Sequence, residues 1–175
     1  MWKEFELSAL YMFNKSHAVA YSMLSYQTMW LKVNYPSEYI WALLYNEDVG
    51  EKITAYLMEA QRLDIPILPP DVNLSDEFFT IDYSGEKPAI RFGLSNVLAC
   101  GKAAINEILA KRPFTCYDEF DAKCSKSAVK KPLRENFDKV GAFQSLGYVS
   151  QYDHKRYYLP ILGFSLGNMD KNEID

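Results

Sequence analysis

The chain has 175 residues, of which 49% are hydrophobic and 24% charged, and it carries a formal net charge of −4. This length and apolar content support a packed core in one domain or two small ones, and they exclude a disordered chain. The acidic balance excludes a globally basic coat for nucleic acid, so any such binding has to rest on local patches.

Met1-Trp2-Lys3-Glu4 carries charge at once and has no apolar signal-peptide core. The longest uncharged run, Ser16 to Leu31, is too short and too rich in Ser, Gln, Thr and Tyr for a bilayer span. A cytoplasmic chain without membrane contact is therefore expected. A helix starts within Tyr11 to Ala18, with Asn14 or Ser16 as N-cap and Ala20, Met23, Leu24, Gln27, Trp30 and Leu31 at helical spacing. An exposed helix start offers unpaired amides and partial positive charge, to which Lys15 and His17 add donors. A phosphate-like anion is the natural guest of Asn14, Lys15, Ser16 and His17. The plainer alternative is a capped helix with Lys15 in water. Pro36 ends this helix near Asn34-Tyr35 and opens a second, with Tyr39, Ile40, Leu43 and Leu44 on one side. A third runs from about Glu51 with Ile53, Tyr56, Leu57, Ala60 and Leu63 in register. These stripes read as core, and the aromatics Tyr21, Tyr26, Trp30, Tyr35, Tyr39, Trp41 and Tyr45 read as packing rather than base stacking.

Ile65-Pro66-Ile67-Leu68-Pro69-Pro70-Asp71-Val72-Asn73 cannot continue a helix and reads as an extended connector between two subdomains. Phe78–Tyr83 and Ala89–Phe92 are β-prone runs around Ser84-Gly85-Glu86-Lys87, predicting a small hairpin laid against helices. Phe92 to Leu109 then predicts a short apolar helix, a tight turn closed by Gly101, and a second helix with Ile105, Ile108 and Leu109 facing inward. This helix-hairpin-helix shape presents backbone amides of Ala99, Cys100 and Gly101 to phosphate oxygens, while Lys102 supplies charge. No base edge need be read, so binding should be blind to sequence and sensitive to salt.

A further helix is expected after Thr115 with Asp118 in a capping box, its neighbouring acids forming a solvated face. Cys100, Cys116 and Cys124 are few and odd in number, arguing for a reducing compartment without disulfides and against a zinc site. Cys100 reads as a small apolar filler. Between Lys102 and Lys139 nine basic residues face six acidic ones, an excess of three in a chain whose total is −4. That stretch, with Lys130, Lys131 and Arg134, is the candidate duplex-facing part. Gly141 suits a helix C-cap. His154-Lys155-Arg156 reads as an exposed basic turn, with a phosphate clamp as the alternative.

Phe13-Asn14-Lys15-Ser16-His17-Ala18-Val19-Ala20-Tyr21, with Ser25-Tyr26-Gln27-Thr28 and Leu31-Lys32, resembles the late fingers of the bacterial DNA polymerase III alpha subunit, the C family of replicative polymerases. Leu68-Pro69-Pro70-Asp71-Val72-Asn73, the hairpin after Phe92, and Val140-Gly141-Ala142-Phe143-Gln144-Ser145-Leu146-Gly147 extend the resemblance in family order over about residues 1–150. Leu162-Gly163-Phe164 is faintly similar to the lead-in to the family's oligonucleotide-binding barrel. Two positions depart from the pattern. Ala99-Cys100-Gly101 stands where Gly-Val-Gly is usual, a loss absorbed only if Ala99 has negative φ, and Pro132 interrupts a usually unbroken helix.

The resemblance implies a mainly α fold with a small β-hairpin, in which a helical fingers subdomain precedes a helix-hairpin-helix DNA-binding subdomain. The implied order is the end of the fingers over residues 1–64, a Pro-rich connector over 65–75, the hairpin-bearing DNA-binding region over 76–147, and a C-terminal extension over 148–175. It implies sequence-nonspecific contact of Ala99, Cys100, Gly101, Lys102, Lys130, Lys131 and Arg134 with the duplex backbone. Asn14, Lys15, Ser16 and His17 would lie near the phosphates of an incoming nucleotide or the template strand. Catalysis in the complete family enzyme uses palm carboxylates and Mg²⁺. No palm is recognisable here, so no catalytic residue, metal or cofactor is assigned to this chain, and polymerase activity is expected only with a palm- and thumb-bearing partner. The alternative is a non-catalytic DNA-binding or polymerase-interacting protein derived from the same region.

Overall fold

The computed structural model describes residues 3, 15–47, 50–150 and 152. Asn14, His154 and the Leu162-Gly163-Phe164 piece lie outside the described residues. The chain divides into two compact units, Met1–Pro36 and Ser37–Asp175.

In the first unit, helix α1 spans Lys15–Asn34. It stops where Pro36 disfavours helical geometry at Tyr35, and its last turn is closed by Asn34 Nδ2 donating to Trp30 O at 2.8 Å. Ser16 lies inside this helix, so it is not the expected N-cap. No side chain of α1 is buried, and Met23, Leu24, Trp30 and Leu31, expected as a core stripe, are exposed. Val19, Tyr21, Met23, Leu24, Tyr26, Met29, Trp30 and Val33 run around most of its circumference, so apolar spacing does not single out which face of this helix is to be covered.

The second unit begins with α2, Pro36–Tyr45, and α3, Gly50–Arg62. The first buries Ile40 and Leu44, and the second buries Ile53, Leu57 and Ala60. Three short strands follow: β1 (Ile67–Leu68), β2 (Thr80–Asp82) and β3 (Ala89–Arg91), in the order β1-β3-β2. The expected hairpin is the antiparallel pair β2–β3, with Ile81 opposite Ile90. The third strand comes from the Pro-rich connector, whose Ile67 pairs in parallel with Ile90. Pro66 lacks an amide hydrogen, yet its carbonyl accepts from Ile90 N at 2.9 Å, and Leu68 O accepts from Phe92 N at 3.1 Å. An edge strand tolerates these prolines because they flank the paired residues Ile67 and Leu68, so no ladder donor is lost to them. Arg91 crosses the sheet, donating to Asp82 Oδ2 at 2.7 Å and to Pro69 O at 3.3 Å.

Gly93 leads into a 3-10 turn at Leu94–Asn96, which replaces the expected first helix of the hairpin motif. Then come α4 (Lys102–Lys111), α5 (Tyr117–Lys123), α6 (Lys131–Lys139) and a closing 3-10 turn at Gln144–Leu146. One apolar core joins Ile40, Leu44 and Ile53 to Ile90, Ile105, Phe120, Phe137 and Phe143. It is continuous across the connector, where the sequence reading drew a subdomain boundary. No helix among the described residues is long and apolar enough to cross a membrane.

The helix ends follow local chemistry. α6 starts with Pro132 in its first turn, the position where a missing amide hydrogen is harmless. It ends on Gly141 at φ 78°, with Ala142 N donating to Phe137 O at 2.8 Å and Gly141 N to Asp138 O at 3.1 Å. These paired bonds make Gly141 the expected C-cap glycine. At α5 the capping acid is Glu119 rather than Asp118: its Oε2 accepts from Thr115 N at 2.6 Å and from Thr115 Oγ1 at 2.7 Å.

Candidate nucleic-acid interface

Two turns, each followed by a helix start, open on one cleft in the second unit. In the first turn Cys100 N donates to Val97 O at 3.0 Å, and Ala99 has φ 68° while Leu98 keeps negative φ. That is a type II turn, whose third residue requires positive φ and favours glycine. The missing family glycine is therefore not absorbed, because Ala99 occupies the left-handed conformation at a cost of roughly 1–2 kcal/mol. Part of that cost is offset by the smaller unfolded-state entropy of alanine. Ala99→Gly is expected to stabilise the chain by about 0.5–1 kcal/mol in urea unfolding; a loss of stability would contradict the strain.

Gly101 is the N-cap of α4, with φ −82° and ψ 165° and no side-chain cap. The amides of Lys102 and Ala103 thus have no intrahelical acceptor. A Cβ placed on Gly101 would meet nothing within 4 Å, so neither local strain nor internal crowding demands glycine here. The second turn runs from Ser125 to Lys130, with Val129 N donating to Ser125 O at 2.9 Å. Lys130 is the N-cap of α6, again with no side-chain cap. Between the turns lies a cavity of about 280 Å³ walled by Ala99, Gly101, Ala103, Ser127, Lys130 and Pro132. Small side chains and two helix starts leave room for a backbone-sized anion to approach.

Each hairpin's second helix braces the other hairpin's turn. Asn136 on α6 donates from Nδ2 to Leu98 O at 2.8 Å. Glu107 on α4 accepts from Ser125 N at 2.8 Å and from Ser125 Oγ at 2.7 Å. Lys111 Nζ also donates to Glu107 at 2.6 Å, and with Ser125 it holds the Glu107 carboxyl down at about 2. Asp71 is a buried hub joining the connector to the closing 3-10 turn, accepting from Asn73 N at 2.8 Å, Leu74 N at 3.1 Å, Ser145 N at 3.2 Å and Ser145 Oγ at 2.8 Å. These bonds join residues 18, 38 and 74 positions apart. No local sequence signal marks Asn136 and Glu107 as partners of the turns, or Asp71 as the partner of Ser145.

Of the residues named from sequence, Ala99, Gly101, Lys102, Lys130 and Lys131 line or flank this cleft. The side chain of Lys131 is 88% exposed, 3.9 Å from Glu135. Arg134 is engaged within the fold instead. Its side chain is only 10% exposed, donating from Nε to Val129 O at 2.9 Å, from Nη2 to Cys124 O at 2.9 Å, and from Nη1 to Asp121 Oδ1. The guanidinium closes the second turn from inside, because its planar fork satisfies two turn carbonyls and a carboxylate at once. Burial pushes the Cys100 thiol up to about 12, consistent with a filler. In the first unit, Lys15, Ser16 and His17 are exposed on the first turn of α1, and the His17 ring lies 4.1 Å from that of Tyr21. Among the described residues no group of three or more His, Cys, Asp or Glu could hold a metal ion.

Two uncapped turn-and-helix units sharing a cleft define a helix-hairpin-helix protein. The chain belongs to the helix-hairpin-helix motif family, whose match covers residues 64–152. It is similar over most of its length to DNA polymerase III subunit alpha. The identity is 42% over 147 residues with the Thermus aquaticus subunit, covering 81% of this chain and 12% of that protein. With the Mycobacterium tuberculosis H37Rv subunit it is 38% over 153 residues, covering 85% and 13% respectively. With the Haemophilus influenzae subunit it is 35% over 148 residues, covering 81% and 12%. The resemblance read from the sequence therefore holds, and it concerns one region of much longer polypeptides.

Proposed function

We propose that this chain is the DNA-binding part of a C-family replicative DNA polymerase, gripping the sugar-phosphate backbone of duplex DNA at the two hairpin turns. The observation that carries this reading is the cleft itself: two helix starts without side-chain caps, open space over Gly101, and exposed Lys102, Lys130 and Lys131 beside them. Such a site contacts phosphates and reads no base, so specificity for sequence is not expected. Nucleotide transfer belongs on this reading to the assembly with a palm- and thumb-bearing chain. Lys15, Ser16 and His17 then serve the phosphates of the incoming nucleotide or the template strand, a role supported by their exposure at the helix end and by the likeness to the family.

The test is fluorescence anisotropy on several unrelated duplexes. Binding should fall with salt at a log–log slope of roughly −2 to −4, for about two to four neutralised phosphates. Lys102→Glu should weaken all duplexes alike, by about tenfold, and make the slope shallower by about one. Loss confined to one sequence, or binding indifferent to salt, would overturn backbone recognition.

A further inference from the structure

We infer that Asn136 is a positioning residue for the first turn: its hydrogen bond to Leu98 O holds the Leu98–Ala99 peptide in the orientation that an alanine at this site does not hold on its own.

Type I and type II turns share their ends and differ by a flip of the central peptide, with ψ of the second residue and φ of the third changing together. In this turn the central peptide is Leu98–Ala99, and its carbonyl oxygen is the atom that Asn136 Nδ2 grips at 2.8 Å. Ala99 at φ 68° is on the side of the flip that glycine prefers and alanine resists. Leu98 is itself exposed, so no packing around its side chain pins the peptide. Release of the bond lets the peptide turn toward type I geometry, which swings the Leu98 carbonyl and the Ala99 amide to the opposite side of the turn beside the cleft. The brace comes from the second hairpin, so occupancy of the first turn is coupled to the seating of α6. The consequence for binding rests on the DNA-binding reading above; the conformational role does not.

The experiment uses the full chain and two readouts, duplex binding by anisotropy and thermal unfolding. Asn136→Ala should weaken duplex binding about tenfold. Adding Ala99→Gly to that variant should restore binding to within about twofold of the parent, because glycine takes positive φ without a brace. Glu107→Ala, which frees the second turn instead, should not be rescued by Ala99→Gly. In thermal unfolding, Ala99→Gly should raise Tm by less in the Asn136→Ala background than in the parent chain, because the released peptide has already relieved the strain at Ala99. Equal Tm increments in the two backgrounds, or failure of the glycine to restore binding, would overturn the role of Asn136. Absence of duplex binding by the parent chain would sink the DNA-binding reading instead, and the Tm comparison would still decide the role of Asn136.

Discussion

Asp71→Ala is expected to cost the chain about 3–5 kcal/mol of stability, measured by urea unfolding. The Asp71 residue is 4% exposed, and its carboxylate accepts from three backbone amides and one hydroxyl. Removing it leaves four part-buried donors without their acceptor, each costing up to roughly 1–3 kcal/mol in isolation and less than the sum when water reaches them. The total matters because the whole stability of a domain is only about 5–15 kcal/mol. The carboxylate also ties the connector to the closing 3-10 turn, a link reinforced by Val72 N donating to Ala142 O at 3.0 Å. Asp71→Asn keeps one acceptor oxygen and should lose about half as much. A change below about 1 kcal/mol for the alanine variant would show that the hub is dispensable.

Gly93→Ala is expected to be nearly as damaging, for a steric rather than an electrostatic reason. The backbone there, φ −77° and ψ 160°, suits any residue. A Cβ, however, would lie 2.4 Å from Glu77 O, 2.4 Å from Phe78 C and 2.5 Å from Phe78 Cα. These are backbone atoms of the segment that receives Leu94 N at Asp76 O and Ser95 N at Glu77 O, so relief requires the hairpin entrance to move as a whole. Overpacking of this kind costs about 3 kcal/mol, and the displaced turn should bind duplex DNA less well. Gly101→Ala provides the contrast. Its Cβ meets nothing, so stability should change by less than about 1 kcal/mol while close approach of a phosphate is hindered. Equal destabilisation by the two substitutions would contradict this account.

Much of the architecture was legible because its causes are local. Pro36 divides α1 from α2, Gly141 ends α6, and the apolar spacing of Ile53, Leu57 and Ala60 gives α3 one buried face. The hairpin β2–β3 follows from its β-prone runs and the Ser84–Lys87 turn. The connector strand β1 was hidden by its own prolines, since their missing donors argue against a strand unless they fall just outside the paired residues, as Pro66 and Pro69 do around Ile67 and Leu68. The core stripe expected on α1 failed because periodicity reports an apolar face without reporting whether anything covers it.

The same division runs through the candidate site. Gly101 and Lys102 were readable as a turn and charge beside a helix start, and Ala99 was readable as a departure at a glycine position. The sign of φ at Ala99, the inward turn of Arg134, and the braces from Asn136, Glu107 and Asp71 came only with the tertiary structure. Helix periods and proline or glycine breaks are written within a few residues and survive in the bare sequence. A side chain that meets a backbone carbonyl 38 residues away leaves no such trace, because the acceptor is the same peptide group at every position and only the folded path selects which one is reached.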